Sequence, residues 1–295
     1  MQTATRRSHA RLRNELNPPQ KLIGWILLAI TFLIMVVPMW NVIVLSTSTA
    51  LDADASGIKL WWNRFSLEGY RYVFRVSKLG RPFLNSLYVT TIGTVIQVIL
   101  SALAGYVLIQ RELPGKDFIT SFIMLTMMIP GDLTIISIYQ MNKQFGLLNS
   151  YTGLILNGLV SGFSILLMRN YFLSVPHSLA ESARLDGASE FRIFRGIYLP
   201  ISTPGLTTVF FIEYVGKWNA ITIPATILTD ENKFTLPLML RSLILQNGVS
   251  TSGGMIVPTN AIMSAVVIST VPLVLIYIFA QQFLLSGMTL GATKG

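Results

Sequence analysis

The sequence predicts an all-α membrane protein that crosses the bilayer several times. Hydrophobic residues make up 52% of the 295-residue chain and charged residues only 12%, about half the charged share of a soluble domain. The mean hydropathy is +0.59. A bilayer core takes about 20 residues of helix to cross. Four stretches without any charged residue are that long: 22–45, 83–110, 144–168 and 242–293.

Six membrane-spanning helices are predicted, near residues 22–45, 84–109, 118–140, 150–168, 202–228 and 260–285. The first is longer than the apolar region of a signal peptide, which indicates a retained span. The third and fifth are interrupted. Asp132 follows Pro130-Gly131 in the third, and Glu213 and Lys217 lie in the fifth. Charged groups cannot face lipid, so these two helices must turn part of their surface to protein or water.

Charge and cysteine content set the orientation and exclude some chemistry. Residues 1–21 form a basic tail, which predicts cytoplasmic N- and C-termini around one membrane domain, residues 22–295. The net charge of +9 is explained by basic segments at a membrane surface better than by nucleic acid. The chain has no cysteine, and two isolated histidines offer no metal site. The first outer loop, with Trp61 and Trp62, is either an interfacial anchor or a docking surface.

A polar insertion, residues 170–200, separates the fourth and fifth spans. Ser178 and Glu181 have the spacing of a capping box at the start of one short helix. Gly187 supplies a turn with positive φ, and Ser189 can cap a second helix. Its apolar residues, Phe191, Ile193, Phe194 and Ile197, are expected to face the membrane domain. The pattern predicts a helix-turn-helix that projects into the cytoplasm and meets a partner.

The insertion resembles a known family, the permease subunits of binding-protein-dependent ABC importers. The family signature is Glu-Ala-Ala, three residues, Gly, nine residues, Ile, one residue, Leu-Pro. This chain has Glu181-Ser182-Ala183, Gly187, Ile197 and Leu199-Pro200, with Ser182 as the departure. A pattern of five anchors is far more specific than a lone glycine motif. Further elements are similar to the sugar-import branch and its smaller six-span partner of the maltose type: Asn85-Ser86, Tyr106, Pro130-Gly131, Gly146-Leu147, residues 185–189, Trp218-Asn219 and Lys294-Gly295.

The resemblance implies that the insertion seats in a groove on an ATPase subunit and is pulled as a lever. The residues it assigns to this coupling are Glu181, Ser182, Ala183, Asp186, Gly187, Ile197, Leu199 and Pro200, with Ala180, Ala183 and Ala188 allowing close approach. Alternatively, Glu181 does no more than cap its own helix. The chain would not be an enzyme and would hold no cofactor, because ATP and Mg²⁺ belong to partner chains; it contains no GxxxxGK[ST] loop.

The implied partners are a second permease in a heterodimer, two ATPase subunits, a periplasmic or surface solute-binding protein and an oligosaccharide. The implied location is the bacterial inner membrane. Residues 272–277 and the Lys-Gly terminus resemble a subgroup for polygalacturonide or other uronate oligosaccharides. A self-contained secondary transporter is the alternative, but it would need ion-coupling carboxylates at the midplane. A membrane enzyme would need a clustered nucleophile, acid and base, and none is found in the sequence.

Six residues are candidates for the translocation path: Glu213, Tyr214, Lys217, Trp218, Asn219 and Asp132. Aromatic faces and amide groups suit sugars, but aromatic residues at helical spacing equally indicate packing. Glu213 and Lys217 are four residues apart and can share a helix face. They either line the path or tie helices together. Asp132 either borders a cavity or marks the end of a span at the interface.

Overall fold

A computed structural model describes residues 18–249 and 257–292, and these residues are almost entirely helical. Fifteen α-helices are named within them in chain order: α1 Pro18–Ser46, α2 Ala50–Asp54, α3 Glu68–Arg75, α4 Gly80–Val107, α5 Lys116–Met127, α6 Ile135–Gln144, α7 Tyr151–Asn157, α8 Gly162–Leu173, α9 His177–Leu185, α10 Glu190–Ile193, α11 Leu199–Ile201, α12 Thr203–Trp218, α13 Thr222–Ile227, α14 Leu236–Val249 and α15 Thr259–Ala292. The described part has no strand; an isolated bridge joins Ser48 and Phe65.

Three described helices, α1, α4 and α15, are long and apolar enough to cross a membrane. They correspond to the first, second and sixth predicted spans. The fourth predicted span is a bent pair, α7 and α8, with an angle of 52° between the two helices. Counted as one crossing, this pair gives four spans. The count of six therefore stays a prediction.

The third predicted span is broken at the interruption that the sequence indicated, whereas the fifth runs as one helix through Glu213 and Lys217 and breaks just after them. The third ends as α5 before Pro130, whose backbone is extended at φ −60° and ψ 125°, and resumes through a 3₁₀ turn, Gly131–Thr134. Proline has no N–H for the helical ladder, so a helix does not run through this point. The fifth ends as α12 at Trp218 and resumes at α13.

Helix α4 forms the centre of the bundle and packs against α8 and α12. Its contact with α8 is close because Gly105 lies there: a Cβ at Gly105 would come within 2.9 Å of the Arg169 backbone nitrogen. At the other end of α4, the Asn85 side chain donates to the carbonyl of Phe234 at 3.0 Å. Ser86 accepts a bond of 2.7 Å from the Leu236 N–H. These bonds fix the start of α14 on α4.

The outer surface of the bundle and the first loop are rich in exposed apolar side chains. Trp25 of α1 is 71% exposed, as suits a side chain in contact with lipid. In the loop after α2, the rings of Trp61 and Trp62 lie 5.0 Å apart, and the Trp40 indole donates to the carbonyl of Leu60 at 2.9 Å. Trp61 itself remains 72% exposed. Both predictions for this loop, anchor and docking surface, remain open.

Candidate functional site

The segment between α8 and α12 folds as two short helices, α9 and α10, which we call the knuckle (residues 177–193). The first begins two residues earlier than predicted, with Pro176 instead of Ser178 at its N-cap and no side-chain cap bond. The predicted capping box of Ser178 and Glu181 is therefore wrong: Ser178 lies inside the first turn instead of before it. Ser189 does occupy the N-cap of α10, with ψ 155°, but its side chain makes no cap bond.

Gly187 closes α9 in the conformation that the sequence predicts. Its φ is +79°, in the left-handed region that glycine adopts freely. The Gly187 N–H donates to the Arg184 carbonyl at 3.0 Å, and the Ala188 N–H donates to the Ala183 carbonyl at 2.9 Å. This pair of bonds is a Schellman motif. It sets the angle between the two helices of the knuckle.

One face of the knuckle packs into the membrane domain. Ala180 is 0% exposed and Ile193 is 1% exposed, and both belong to a cluster with Tyr106 and Phe172. Ala183 is half-buried against the same cluster, as is Ala188. The small residues that the resemblance assigned to a close approach by an ATPase thus allow close approach to the chain's own α4 and α8.

The opposite face of the knuckle is exposed and carries large apolar side chains. Leu185 is 89% exposed and Phe191 is 66% exposed. The prediction that Phe191 faces the membrane domain is wrong, because Ile193 and Phe194 form the buried side of this short helix. The polar coupling candidates share the exposed face: Glu181, Ser182 and Asp186. Glu181 lies 3.7 Å from Arg111, with both side chains more than half exposed, an arrangement that contributes little to stability.

A charged network fastens the knuckle to the end of α4. The Tyr106 hydroxyl donates to Glu190 Oε2 at 2.6 Å. Arg184 donates two hydrogen bonds to the same carboxylate, of 2.6 Å and 3.2 Å. It donates a third, of 3.4 Å, to the Gln110 side-chain oxygen. The bonds to this carboxylate lower the pKa of Glu190 from its usual 4.5, and the bond from Arg184 has a larger effect than the bond from Tyr106. Both helices of the knuckle are therefore held to α4 through one carboxylate.

The last part of the signature lies at the base of the knuckle. Ile197 and Leu199 are half-buried and pack against the cluster that contains Tyr106. Phe194–Tyr198 forms a π turn, and Pro200 follows it, exposed. Because Pro200 has no N–H, regular helical bonding cannot continue there. Ile197 and Leu199 anchor the base of the knuckle, and Pro200 lies where the chain leaves it toward α12.

The two charged residues of α12 both turn toward α7 and α8. Glu213 accepts a hydrogen bond from the Ser164 hydroxyl, and the Lys217 amino group donates to the Gly158 carbonyl. No ion pair joins Glu213 to Lys217 among the described contacts within 4.0 Å. Of the interpretations left open, the tie between helices agrees with this geometry, and Glu213 and Lys217 act on each other only through space.

The aromatic candidates of α12 are packed, not exposed. Tyr214 and Trp218 are 3% and 1% exposed and stack with ring centroids 6.1 Å apart. The Trp218 indole donates to the Ser269 carbonyl of α15 at 2.9 Å. Asn219 is exposed at the end of α12, and the side chain of Asp132 lies outside the described part of the chain. The structure thus places Lys217 apart from the two aromatic residues.

Sequence reasoning missed the partners of these polar groups. Tyr106 entered only as an element of the resemblance, and nothing in its spacing predicts a contact with Glu190, 84 residues away. Arg184 and Glu190 flank the Gly187 turn, and that spacing is the one signal that predicts their pairing. The break that exposes the Gly158 carbonyl was missed because residues 150–168 carry no charge, although Asn157-Gly158 and Ser161-Gly162 are dipeptides typical of turns.

The chain belongs to the family described as binding-protein-dependent transport system inner membrane component, whose model matches residues 97–290. It is a membrane permease subunit. The matched residues include the knuckle, Tyr106 of α4, which holds it, and the whole of α12.

Curated relatives align along nearly the whole chain. The polygalacturonan/rhamnogalacturonan transport system permease protein YtcP of Bacillus subtilis is 33% identical over 89% of this chain and 94% of its own length. The arabinooligosaccharides transport system permease protein AraQ of Halalkalibacterium halodurans is 28% identical over 93% of this chain and 98% of its own length. A crystal structure of a bacterial ABC transporter involved in the import of the acidic polysaccharide alginate shares the fold, with a TM-score of 0.82 at 22% identity, covering 92% of this chain and 99% of that one.

Proposed function

We propose that this chain is the membrane-spanning subunit of an ATP-driven importer, forms half of the translocation path for an oligosaccharide, and is coupled to ATPase subunits through the knuckle. One observation carries the proposal: Leu185, 89% exposed, lies at the tip of a knuckle whose other face is locked into the membrane domain. A rigid element with an unpaired apolar tip is suited to transmit force from a partner.

The exposed face of the knuckle has the composition of a docking surface. Leu185 and Phe191 would each gain about 1.5–3 kcal/mol on full burial against a partner. Glu181 and Asp186 beside them add charge, which favours one orientation of docking. The Schellman turn at Gly187 and the bonds of Glu190 keep this face in one arrangement. A displacement of the tip is then passed to α4 instead of being absorbed within the knuckle.

The names of the relatives support a sugar as the substrate, and an acidic one in particular. The relative from Bacillus subtilis is named for polygalacturonan and rhamnogalacturonan, and the solved transporter imports alginate. All of these polysaccharides carry uronate carboxylates. We therefore propose a uronate oligosaccharide as the cargo of this importer.

The complete importer would contain a second permease, two ATPase subunits that bind ATP and Mg²⁺, and a solute-binding protein. A second solved structure contains the alginate transporter together with a periplasmic protein bound to alginate pentasaccharide, which supports the last of these partners. In this arrangement the chain lies in the bacterial inner membrane, and its termini and knuckle face the cytoplasm.

Co-purification tests the proposal. The tagged chain is expressed with the other subunits of its importer, and the retained ATPase subunit and the sugar uptake are measured. We expect Leu185→Glu, Glu181→Arg and Gly187→Pro to release the ATPase subunit and to abolish uptake. Leu51→Glu is the matched control, because Leu51 is 77% exposed at the opposite end of the bundle. Full ATPase retention and uptake in all three knuckle variants would disprove coupling through this face.

A further inference from the structure

A small cavity, lined mostly by apolar side chains with a few polar groups among them, lies where the break between α7 and α8 faces α4 and α12. Its volume is about 120 Å³, well above the roughly 10–15 Å³ that one water needs. The polar groups in its lining come from Thr90, Asn157, Lys217 and Thr235, beside Gly93 and Gly158. Gly93 lies at the middle of the 28-residue α4. The cavity is therefore at membrane depth and has room for a small polar group.

Two glycines make the space that the Lys217 side chain occupies. The Lys217 Cδ lies 3.5 Å from the position that a Cβ of Gly93 would take. A Cβ at Gly158 would lie 2.6 Å from the Lys217 amino nitrogen. A larger residue at position 158 would force this nitrogen to move. The position of the amino group is thus determined by its surroundings.

Lys217 is the one charged residue in the lining of this cavity. Its described hydrogen-bond partner is the Gly158 carbonyl, a neutral group at the carboxyl end of α7. No carboxylate lies within 4.0 Å of it in the part of the chain that the structure describes. Glu213, one turn earlier, attracts the Lys217 ammonium through space but accepts its hydrogen bond from Ser164. A cation at membrane depth without a carboxylate in direct contact favours an anion beside it.

Thr235 supplies an independent observation. It is 6% exposed, and its hydroxyl has no hydrogen-bond partner among the described residues. Buried hydroxyls without a partner are uncommon and costly. Because Thr235 lines the same cavity as Lys217, a group bound between them would satisfy the hydroxyl and neutralise the amino group together.

We propose that this cavity binds a carboxylate of the transported sugar, with Lys217 as the counter-ion and the Thr235 hydroxyl as a second donor. The proposal rests on the proposed function, since it requires a sugar to pass α12. It assigns the choice of an acidic sugar to the permease as well as to the solute-binding protein. The rival role for Lys217 is structural, a cap on the carboxyl end of α7.

The test compares an acidic sugar with its neutral form in the complete importer. Trigalacturonate and fully methyl-esterified trigalacturonate are each supplied at a concentration that saturates the solute-binding protein, and maximal uptake rates are measured in proteoliposomes. We expect Lys217→Gln to slow trigalacturonate about ten- to hundredfold, the effect of losing a hydrogen bond to a charged group. Uptake of the methyl ester should be unchanged, and Lys217→Arg should retain uptake of trigalacturonate.

Lys233→Gln is the matched control. The Lys233 amino group also donates to a backbone carbonyl, that of Asn149 at 2.8 Å, but Lys233 lies outside the cavity. Equal losses for both sugars in Lys217→Gln would establish the structural role and overturn the proposal. Unchanged uptake of trigalacturonate would overturn it too. Failure of the proposed function gives a different result: the wild-type complex itself would then import neither sugar. That result would overturn this inference as well.

Discussion

Tyr106→Phe removes one hydroxyl from the network that holds the knuckle on α4. The phenylalanine ring fits the same space, since Tyr106 is 7% exposed and packs among Phe172 and Phe194. The lost bond is 2.6 Å long and ends on the charged Glu190. A buried bond of this kind contributes about 1.5–3 kcal/mol. The Glu190 side chain is 55% exposed and keeps Arg184, so we expect a loss of about 1 kcal/mol.

Hydrogen exchange measures this loss as local opening of the knuckle. A loss of about 1 kcal/mol corresponds to roughly fivefold faster exchange of backbone amides in residues 177–193. Peptides from α15 should exchange at the wild-type rate. Tyr277→Phe, which alters a half-exposed tyrosine of α15, is the control and should leave the knuckle unchanged. If Tyr106→Phe exchanges at the wild-type rate in residues 177–193, the network does not hold the knuckle.

Two further predictions concern pH and packing. The Arg184 bond lowers the pKa of Glu190 from its usual 4.5, so the stabilisation by ionised Glu190 is complete above that pH and is lost as the pH falls through the lowered pKa. The melting temperatures of wild type and Glu190→Gln should differ by a constant amount above that pH and converge below it; a difference that grows on acidification would contradict the sign. In α12, Gly205→Ala puts a Cβ 2.4 Å from Tyr171 Cγ and should cost about 1–3 kcal/mol, measured as a lower melting temperature. Gly216→Ala, in open space on the same helix, should raise stability by about 1 kcal/mol, and equal effects would refute the packing argument.

Two uninterrupted apolar stretches predicted long helices well, and Pro130-Gly131 indicated the break in the third span. Residues 22–45 and 84–109 match α1 and α4 within a few residues at each end, because twenty or more apolar residues in lipid have few alternatives to a helix. The third predicted span breaks at Pro130 because the proline ring leaves no backbone N–H for a helical hydrogen bond. Hydropathy did not predict the bend at residues 158–161, although the dipeptides Asn157-Gly158 and Ser161-Gly162 at its two ends are typical of turns. Helix α14 was missed because it lies in a segment predicted as a connection.

The signature predicted the turn of the knuckle but not which faces it exposes. Gly187 was predicted from backbone sterics alone, and the structure confirms its positive φ. The prediction that Phe191 faces the membrane domain was wrong because α10 has only four residues. A periodic pattern needs a longer helix to define a buried face. The burial of Tyr214 and Trp218 depends on contacts with α15, which lie outside any local pattern. Long-range packing, and not local propensity, decided each of these positions.

Single-cysteine labelling tests the lever most directly. The chain has no cysteine, so Leu185→Cys introduces one thiol at a position that is 89% exposed. We predict that a membrane-impermeant maleimide labels it from the cytoplasmic side alone, and that bound ATPase subunits block the label. Leu51→Cys, at the other end of the bundle, should be labelled from outside. Labelling of Leu185→Cys from outside intact cells would contradict the account, because a knuckle on that side cannot reach an ATPase.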